Sequence, residues 1–283
     1  MVLSSFLITS RETLEVALVV GIVLAYLIKT DNHRYKKAVY YGIAVGIVLS
    51  ILAAVIFTSL AGGFEGKTEE IFEGITMLVA AGLLTTMILW MMKQKQVVKE
   101  LENKVSVQLK KEGFNKKYGY GIFLLIVVAV LREGVETIIF LHALNFTSGV
   151  SFLGGILGVA AAIVIGYLFF IGAKKIYLKE FFVISGILLI LFAAGLVAHG
   201  VHGLQEAAVI PYVVKEVWDV NPAVAVENVY PALHEKGAVG GFFKGLFGYN
   251  GNPSLLEILF YVAYLIGIFL VYRKVEGKNS VKE

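Results

Sequence analysis

No cysteine occurs among the 283 residues. This absence excludes disulfides, thiolate metal sites and cysteine nucleophiles, and leaves carboxylates, imidazoles, hydroxyls and backbone carbonyls as metal ligands. The N-terminus also lacks a basic segment and a small-residue cleavage site, which predicts an uncleaved first helix. Proline is rare, and Pro211, Pro222 and Pro231 all fall in 207–254. That segment is therefore predicted to be loop with short helices.

A continuous basic stripe is also lacking. The formal net charge is +4 and the isoelectric point is near 9.0, values that could indicate nucleic-acid binding. However, the Lys and Arg residues fall in short connections between apolar runs. This distribution argues against a nucleic-acid partner and instead carries information about membrane topology.

Apolar residues dominate the chain. They make up 58% of the sequence and the mean hydropathy is +0.80, whereas a soluble domain is roughly 45–50% apolar. Stretches long enough to cross a bilayer, about 20 residues each, lie at 3–28, 37–61, 70–92, 118–144, 150–172, 181–206 and 255–272. The sequence therefore predicts an all-α, polytopic membrane protein of seven transmembrane helices, folded as a single membrane domain over 1–283.

The connections predict the orientation of the chain. Of the 25 Lys and Arg residues, 19 fall in alternate connections and in the C-terminal tail, four fall in the remaining connections, and Arg11 and Arg132 lie within spans. Because Lys and Arg are retained on the cytoplasmic side, we expect the N-terminus outside and the C-terminus in the cytoplasm of a plasma (inner) membrane. Within 93–117, apolar residues recur at helical spacings. They predict an amphipathic cytoplasmic helix or an extension of span three.

Three features of the first half of the chain recur in the second half in the same order. They are Arg-Glu-x-x-Glu at Arg11–Glu15 and Arg132–Glu136, Gly-x-x-x-Gly at Gly42 and Gly46 and at Gly154 and Gly158, and Ala-Ala-Gly-Leu from Ala80 and from Ala193. Since three spans separate the copies, the second copy has opposite topology. The sequence thus predicts an inverted 3+3 repeat plus one C-terminal helix. The segments are repeat one 1–92, cytoplasmic linker 93–117, repeat two 118–206, outer loop 207–254, seventh helix 255–272 and cytoplasmic tail 273–283.

The charged residues within spans one and four are the strongest indication of function. Each charge at mid-helix costs about 2.5–3.5 kcal/mol on insertion scales, so these groups must be paired, hydrated or bound to a ligand. Helical spacing places Arg beside Glu at i,i+4 and two Glu at i,i+3. The group comprises Glu12, Glu15, Glu133 and Glu136, with Arg11 and Arg132 in support, and its formal charge is −2. A structural ion-pair network is one interpretation, but it needs no excess of carboxylate, so the pattern favours a cation site.

Two further sets of residues are candidate metal ligands near the outer surface. His199, His202 and Glu206 lie at i, i+3 and i+7 near the end of span six, a spacing that fits either metal ligands or packing residues on one face. Glu70 and Glu73 precede the apolar part of span three at i,i+3 spacing. They are either solvated charges or a mouth that collects cations.

The paired Arg-Glu-x-x-Glu motifs, together with the His199-x-x-His202-x-x-Gln205-Glu206 ending of span six, resemble the oxidase-dependent iron permeases. That family includes fungal high-affinity iron permeases and bacterial ferrous or ferric iron uptake permeases. The resemblance implies import of iron as the transported substrate, with the motif glutamates carrying the ion and the arginines supporting them. It implies no prosthetic group and no enzymatic activity.

The resemblance also implies partners. A separate oxidase or an extracytoplasmic iron-binding protein would work beside the chain in the lipid bilayer, and a homo-oligomer is compatible with the sequence. Two alternatives remain open at this point: a permease for another divalent metal such as manganese or lead, and an intramembrane metalloenzyme that uses His199, His202 and Glu206. Ferrous and ferric iron both remain open as the substrate, because carboxylates suit ferric iron and imidazole also suits ferrous iron.

Overall fold

The computed structural model describes residues 2–91, 103–107, 119–170, 178–221 and 230–279. Every regular element in these ranges is helical, which confirms the all-α prediction for the described part of the chain. The helices are α1 (Val2–Lys29), α2 (Lys36–Ala61), α3 (Lys67–Met91), α4 (Tyr120–Thr147), α5 (Phe152–Phe170), α6 (Leu178–Glu206), α7 (Ala238–Phe247) and α8 (Leu255–Asn279). A 3-10 turn at His33–Tyr35 precedes α2.

The predicted linker 93–117 lies outside the described residues except for a helical segment at 103–107. Val105 of this segment is fully buried, and it packs in a cluster with Tyr35 of the 3-10 turn, Val39 near the start of α2 and Ile122 near the start of α4. One apolar residue of the proposed amphipathic pattern therefore contacts the helical bundle. The rest of that prediction is untested by the described residues.

Four helical stretches in the described ranges are long and apolar enough to cross a membrane: His33–Ala61, Lys67–Leu89, Val183–Glu206 and Leu255–Lys274. Phe152–Leu168 is a shorter apolar helix. Helices α1 and α4 are 28 residues long, but each carries the three charged residues of an Arg-Glu-x-x-Glu motif. The structure therefore supports a polytopic membrane protein, and the count of seven spans stays a prediction.

The helices pack mainly in three pairs: α1 with α5, α2 with α4, and α3 with α6. The Gly-x-x-x-Gly motifs lie in the first two contacts, where a Cβ atom on Gly46 would lie 2.7 Å from Val130 Cβ and one on Gly158 would lie 2.6 Å from the Phe6 carbonyl oxygen. Such distances leave no room for a side chain. Both Gly-x-x-x-Gly motifs therefore lie where two helices approach closely, as is common for small residues in membrane interfaces.

Hydrogen bonds join the N-terminal half of α1 to α5 and the turn before it. The Thr9 hydroxyl donates to the Gly155 carbonyl oxygen at 3.0 Å, and the Ser151 amide donates to the Ser5 hydroxyl at 2.9 Å. At the same end of α1, Ser4 donates to the Gly245 carbonyl oxygen of α7 at 2.9 Å. These contacts fix the part of α1 that leads directly into its charged motif.

Two apolar clusters enclose the region where α1 crosses α4. One contains Ile8 of α1 and Phe140 of α4, together with residues of α3 and α6. The other contains Val23 of α1 and Val130 of α4, together with residues of α2. In both helices the charged motif lies between the residues that enter these clusters. The fold therefore places the charges in an apolar surround, where unpaired charge is costly.

Candidate metal centre between α1 and α4

The two Arg-Glu-x-x-Glu motifs meet where α1 crosses α4. Glu12, Glu133 and Glu136 are buried and each offers a carboxylate oxygen within 4.8 Å of those of the others. Among the described residues, this is the one group of three or more His or acidic side chains whose potential ligand atoms lie so close together. The repeat predicted that the two motifs would meet. In the structure, Glu12 of the first motif lies beside Glu133 and Glu136 of the second.

Each arginine pairs with the glutamate one turn further along its own helix, as the spacing predicts. Arg11 Nε lies 3.4 Å from Glu15 Oε1, and Arg132 Nε donates to Glu136 Oε1 at 2.7 Å. Arg132 Nε also lies 3.7 Å from Glu133 Oε1. The six charged residues of the two motifs form what we call the charged layer. Glu15 is buried beside Arg11 in this layer, but it is not one of the three glutamates whose carboxylates lie closest together.

The closest carboxylates leave oxygen atoms without hydrogen-bond donors. Neither oxygen of Glu12 accepts a hydrogen bond, and neither does Oε2 of Glu133 or Oε2 of Glu136. A buried acceptor without a donor is unfavourable by about 1–3 kcal/mol, and more when it is charged. Carboxylate oxygens that converge in an apolar surround are therefore suited to bind a cation.

The two arginines differ in environment although their motifs match. The Arg11 side chain is 1% exposed, whereas the Arg132 side chain is 49% exposed. Arg132 follows Leu124 and Val128 along one exposed stripe of α4. Arg11 is thus enclosed by protein, whereas Arg132 reaches the surface of the helical bundle.

The histidines of α6 do not share one set of neighbours. His199 Nδ1 lies 3.0 Å from the Gly195 carbonyl oxygen of its own helix. His202 Nδ1 lies 2.9 Å from Glu257 Oε1, and His202 Nε2 lies 3.4 Å from Glu206 Oε1. The predicted ligands His199, His202 and Glu206 therefore lie on the same end of α6. Their potential ligand atoms do not converge as closely as those of Glu12, Glu133 and Glu136.

The predicted outer mouth lies against the same end of α6. A Cβ atom on Gly203 would lie 3.3 Å from the Glu70 carbonyl oxygen, so the start of α3 packs on the end of α6. Burial raises the pKa of Tyr212, and the carboxylates of Glu206, Glu257 and Glu70 raise it further. Acidic groups from α3, α6 and α8 therefore act together on the electrostatic environment of this tyrosine. Glu73 lies one turn after Glu70, and its role as a ligand stays a prediction.

Sequence reasoning missed Glu257, which is fully buried at the start of α8. The Ser254 amide donates to Glu257 Oε1 at 2.8 Å, and the Glu257 amide donates to the Ser254 hydroxyl at 3.3 Å. This reciprocal pair is a capping box, recognisable in sequence as Ser-x-x-Glu before an apolar run. The sequence signal indicates a helix start, but it does not indicate the contact with His202.

Glu235 organises the part of the outer loop that the structure describes. Its carboxylate accepts hydrogen bonds from the Lys244 ammonium, the Asn221 side-chain amide and the Gly251 backbone amide. Burial alone would raise the pKa of Glu235, but these donors and the charge of Lys244 outweigh it and lower the pKa to about 2. Glu235 is thus a charged residue that joins α7 to the loop segments at Asn221 and Gly251.

Comparison with known proteins places the chain among metal permeases. The model of the iron permease FTR1 family matches residues 2–275. The chain is 31% identical over 271 residues to the ferrous iron permease EfeU of Yersinia pestis, covering 94% of this chain and 92% of that protein. It is 30% identical to the EfeU of Escherichia coli O6:H1, covering 94% of each. No solved structure gives a significant match.

Proposed function

Because the chain belongs to the iron permease FTR1 family, we propose that it imports iron across the plasma membrane through a carboxylate site at the crossing of α1 and α4. Its relatives are named permeases, so the chain is a multi-pass membrane transporter of iron and not an enzyme. The metalloenzyme interpretation of the α6 histidines is accordingly set aside. Iron is the transported substrate in this proposal.

The observation that carries the proposal is the convergence of Glu12, Glu133 and Glu136 within 4.8 Å. These groups supply oxygen ligands from two helices, and several of their oxygens have no hydrogen-bond donor. With Glu15, Arg11 and Arg132 included, the formal charge of the layer is −2. One ferrous ion would neutralise this charge, and the bacterial relatives are named ferrous iron permeases. We therefore favour ferrous iron as the substrate.

The arginines have a supporting role in this scheme. By pairing with Glu15 and Glu136 they hold those carboxylates in place and reduce the repulsion among four acidic groups. The net charge stays negative, so a cation is still attracted. A bound cation then gives the buried carboxylate oxygens the favourable partner that no hydrogen-bond donor supplies.

The outer residues provide the first binding step. Glu70 and Glu73 of α3 collect the ion, and His199, His202 and Glu206 at the end of α6 receive it before transfer to the central carboxylates. The contact between α3 and α6 brings these two sets together at the outer surface predicted from the Lys and Arg distribution. A separate oxidase or an iron-binding protein outside the membrane would deliver the ion.

The helix pairing supports the inverted repeat. Exchange of the two halves of the chain converts the α1–α5 contact into the α4–α2 contact, and converts the α3–α6 and α1–α4 contacts into themselves. Six helices related in this way, with α8 added, give the proposed seven-span arrangement. A substrate site at the interface of two such repeats suits alternating access.

Uptake by proteoliposomes that hold the purified chain tests the function. Wild-type protein is compared with Glu12→Gln plus Glu133→Gln, using ferrous, ferric, manganous, lead and zinc ions. We expect selective ferrous uptake that the double change abolishes while the protein still inserts and folds. Glu65→Gln is the matched control, since this residue is exposed in the α2–α3 turn. Retained uptake in the double variant would overturn the central site, and preferred uptake of manganese or lead would change the substrate.

A further inference from the structure

The two ring nitrogens of His202 face two carboxylates, one buried and one exposed. Nδ1 lies 2.9 Å from Oε1 of Glu257, whose side chain is 1% exposed. Nε2 lies 3.4 Å from Oε1 of Glu206, whose side chain is 52% exposed. One edge of the ring is therefore held inside the protein by α8, and the other edge opens toward the outer surface.

The buried contact fixes the ring. A carboxylate is only an acceptor, so the Nδ1 atom of His202 carries the proton that joins it to Glu257. Glu257 is itself held by the Ser254 amide at 2.8 Å and by the Asn250 side-chain amide at 2.7 Å. In a neutral imidazole this leaves the lone pair on Nε2, which is the arrangement found for metal-binding histidines whose other nitrogen bonds a carboxylate.

The open contact has the spacing of two ligands on one ion. At metal–ligand bond lengths of about 2.1 Å, neighbouring ligands of a tetrahedral or octahedral ion lie roughly 3.0–3.4 Å apart. The separation of His202 Nε2 and Glu206 Oε1 is 3.4 Å. An imidazole nitrogen and a carboxylate oxygen together suit borderline divalent ions such as ferrous iron.

We infer that His202 and Glu206 form an outer station for a divalent metal ion, and that Glu257 is a positioning residue that aims Nε2 of His202 at that ion. This inference deepens the proposed import function and rests on it for the identity of the metal. His199 is not part of the pair, because among the described residues no carboxylate forms an ion pair with its ring, whereas His202 has two such neighbours. The last helix thus takes part in metal capture through one buried carboxylate.

Metal binding in a background without the central site tests the station directly. Glu12→Gln plus Glu133→Gln protein is titrated anaerobically with ferrous iron by calorimetry, alone and with Glu257→Gln added. Loss of a carboxylate that orients a metal-binding histidine typically weakens metal affinity by about 10–100-fold, and we expect a loss in this range. Unchanged affinity would overturn the inference.

Ser254→Ala is the matched structural control. It removes the hydroxyl of the capping box and its hydrogen bond to Gln205 at 2.7 Å, but it keeps the amide that donates to Glu257. We expect this variant to bind ferrous iron within about twofold of its background, because the His202 ring stays fixed. An equal loss of affinity in Ser254→Ala and Glu257→Gln would show that Glu257 acts only through the fold of the outer end.

Uptake kinetics separate the station from the central site. In the wild-type background, Glu257→Gln is expected to raise KM for ferrous iron about tenfold with the maximal rate retained, whereas Glu133→Gln is expected to abolish the maximal rate. Glu206→Gln, at an exposed position, should raise KM in the same way even if Glu257→Gln fails to fold. A normal KM in Glu206→Gln would overturn the station. If wild-type protein imports no metal, the proposed function fails, and the calorimetric titration still decides whether the station exists.

Discussion

Gly74 of α3 and Gly200 of α6 face each other across a backbone contact. A Cβ atom on Gly74 would lie 2.9 Å from the Gly200 carbonyl oxygen, and one on Gly200 would lie 3.0 Å from the Gly74 carbonyl oxygen. The relationship is reciprocal, so neither position accepts a methyl group unless the two helices separate. Separation would also move the start of α3, which carries Glu70 and Glu73, away from the end of α6.

This contact gives the first prediction. We expect Gly200→Ala to lower the free energy of unfolding by about 1–3 kcal/mol, the usual effect of overpacking, and to raise KM for iron uptake. Gly82→Ala on α3 and Gly186→Ala on α6 are matched controls, because a Cβ atom at either position meets nothing within 4 Å. Thermal unfolding in detergent measures the difference. Equal stability of all three variants would contradict the prediction.

The second prediction concerns the two arginines. Arg11 is enclosed and Arg132 is half-exposed, although both pair with a glutamate at i,i+4. Removal of one partner from a buried ion pair costs about 3–5 kcal/mol, and this cost applies more fully to Arg11, whose side chain is 1% exposed, than to Arg132, whose side chain is 49% exposed. Arg11→Gln should therefore destabilise the protein clearly more than Arg132→Gln in thermal unfolding. A larger loss of stability in Arg132→Gln than in Arg11→Gln would contradict the burial of Arg11.

The third prediction is a pH dependence of the outer loop. The pKa of Glu235 is lowered from 4.5 to about 2, so its stabilising contribution is fully present above pH 4.5 and is lost as the pH falls toward 2. Hydrogen exchange of the backbone around Gly251 should show protection at pH 4 that disappears near pH 2. Glu235→Gln should lose protection across the whole range, and Glu216→Gln, at an exposed position, should behave as wild type. Loss of wild-type protection already at pH 4.5 would contradict the pKa.

The fourth prediction tests the orientation of the chain. Because cysteine is absent from the sequence, single cysteines report without interference from native thiols. Lys215→Cys should react with a membrane-impermeant maleimide added outside intact cells. His33→Cys and Lys274→Cys, which are exposed in the structure, should react only after the membrane is permeabilised. The opposite pattern would reverse the topology derived from the Lys and Arg distribution.

Local spacing predicted the parts of the site that lie on one helix. The pairs Arg11–Glu15 and Arg132–Glu136 follow from helical periodicity, and the repeat indicated that the two motifs would meet. The difference in exposure between the arginines could not be predicted, because it depends on which neighbouring helices cover each one. The contact between His202 and Glu257 joins residues 55 positions apart, and no periodic pattern links them.

The α6 histidines show the same division. Helical periodicity correctly places His199 and His202 close together along α6, but it does not determine which ring nitrogen is engaged or by what. The backbone carbonyl of Gly195 engages one ring and a carboxylate from α8 engages the other. The difference therefore arises from the tertiary contact of His202 with α8, since the contact of His199 is local to α6.

The pairing of α1 with α5 and of α2 with α4 means that each packed unit contains one helix from either half of the chain. Hydrogen bonds at Thr9 and Ser5 hold the first unit, and apolar contact at Gly46 holds the second. A motion that opens the crossing of α1 and α4 must then displace one such hybrid unit against the other. The peptide links between the units run through the turns at 30–35 and 148–151, where Asp31 and Gly149 have positive φ. In the proposed import cycle these two turns, remote from the carboxylates, are the covalent connections across which the two units would move.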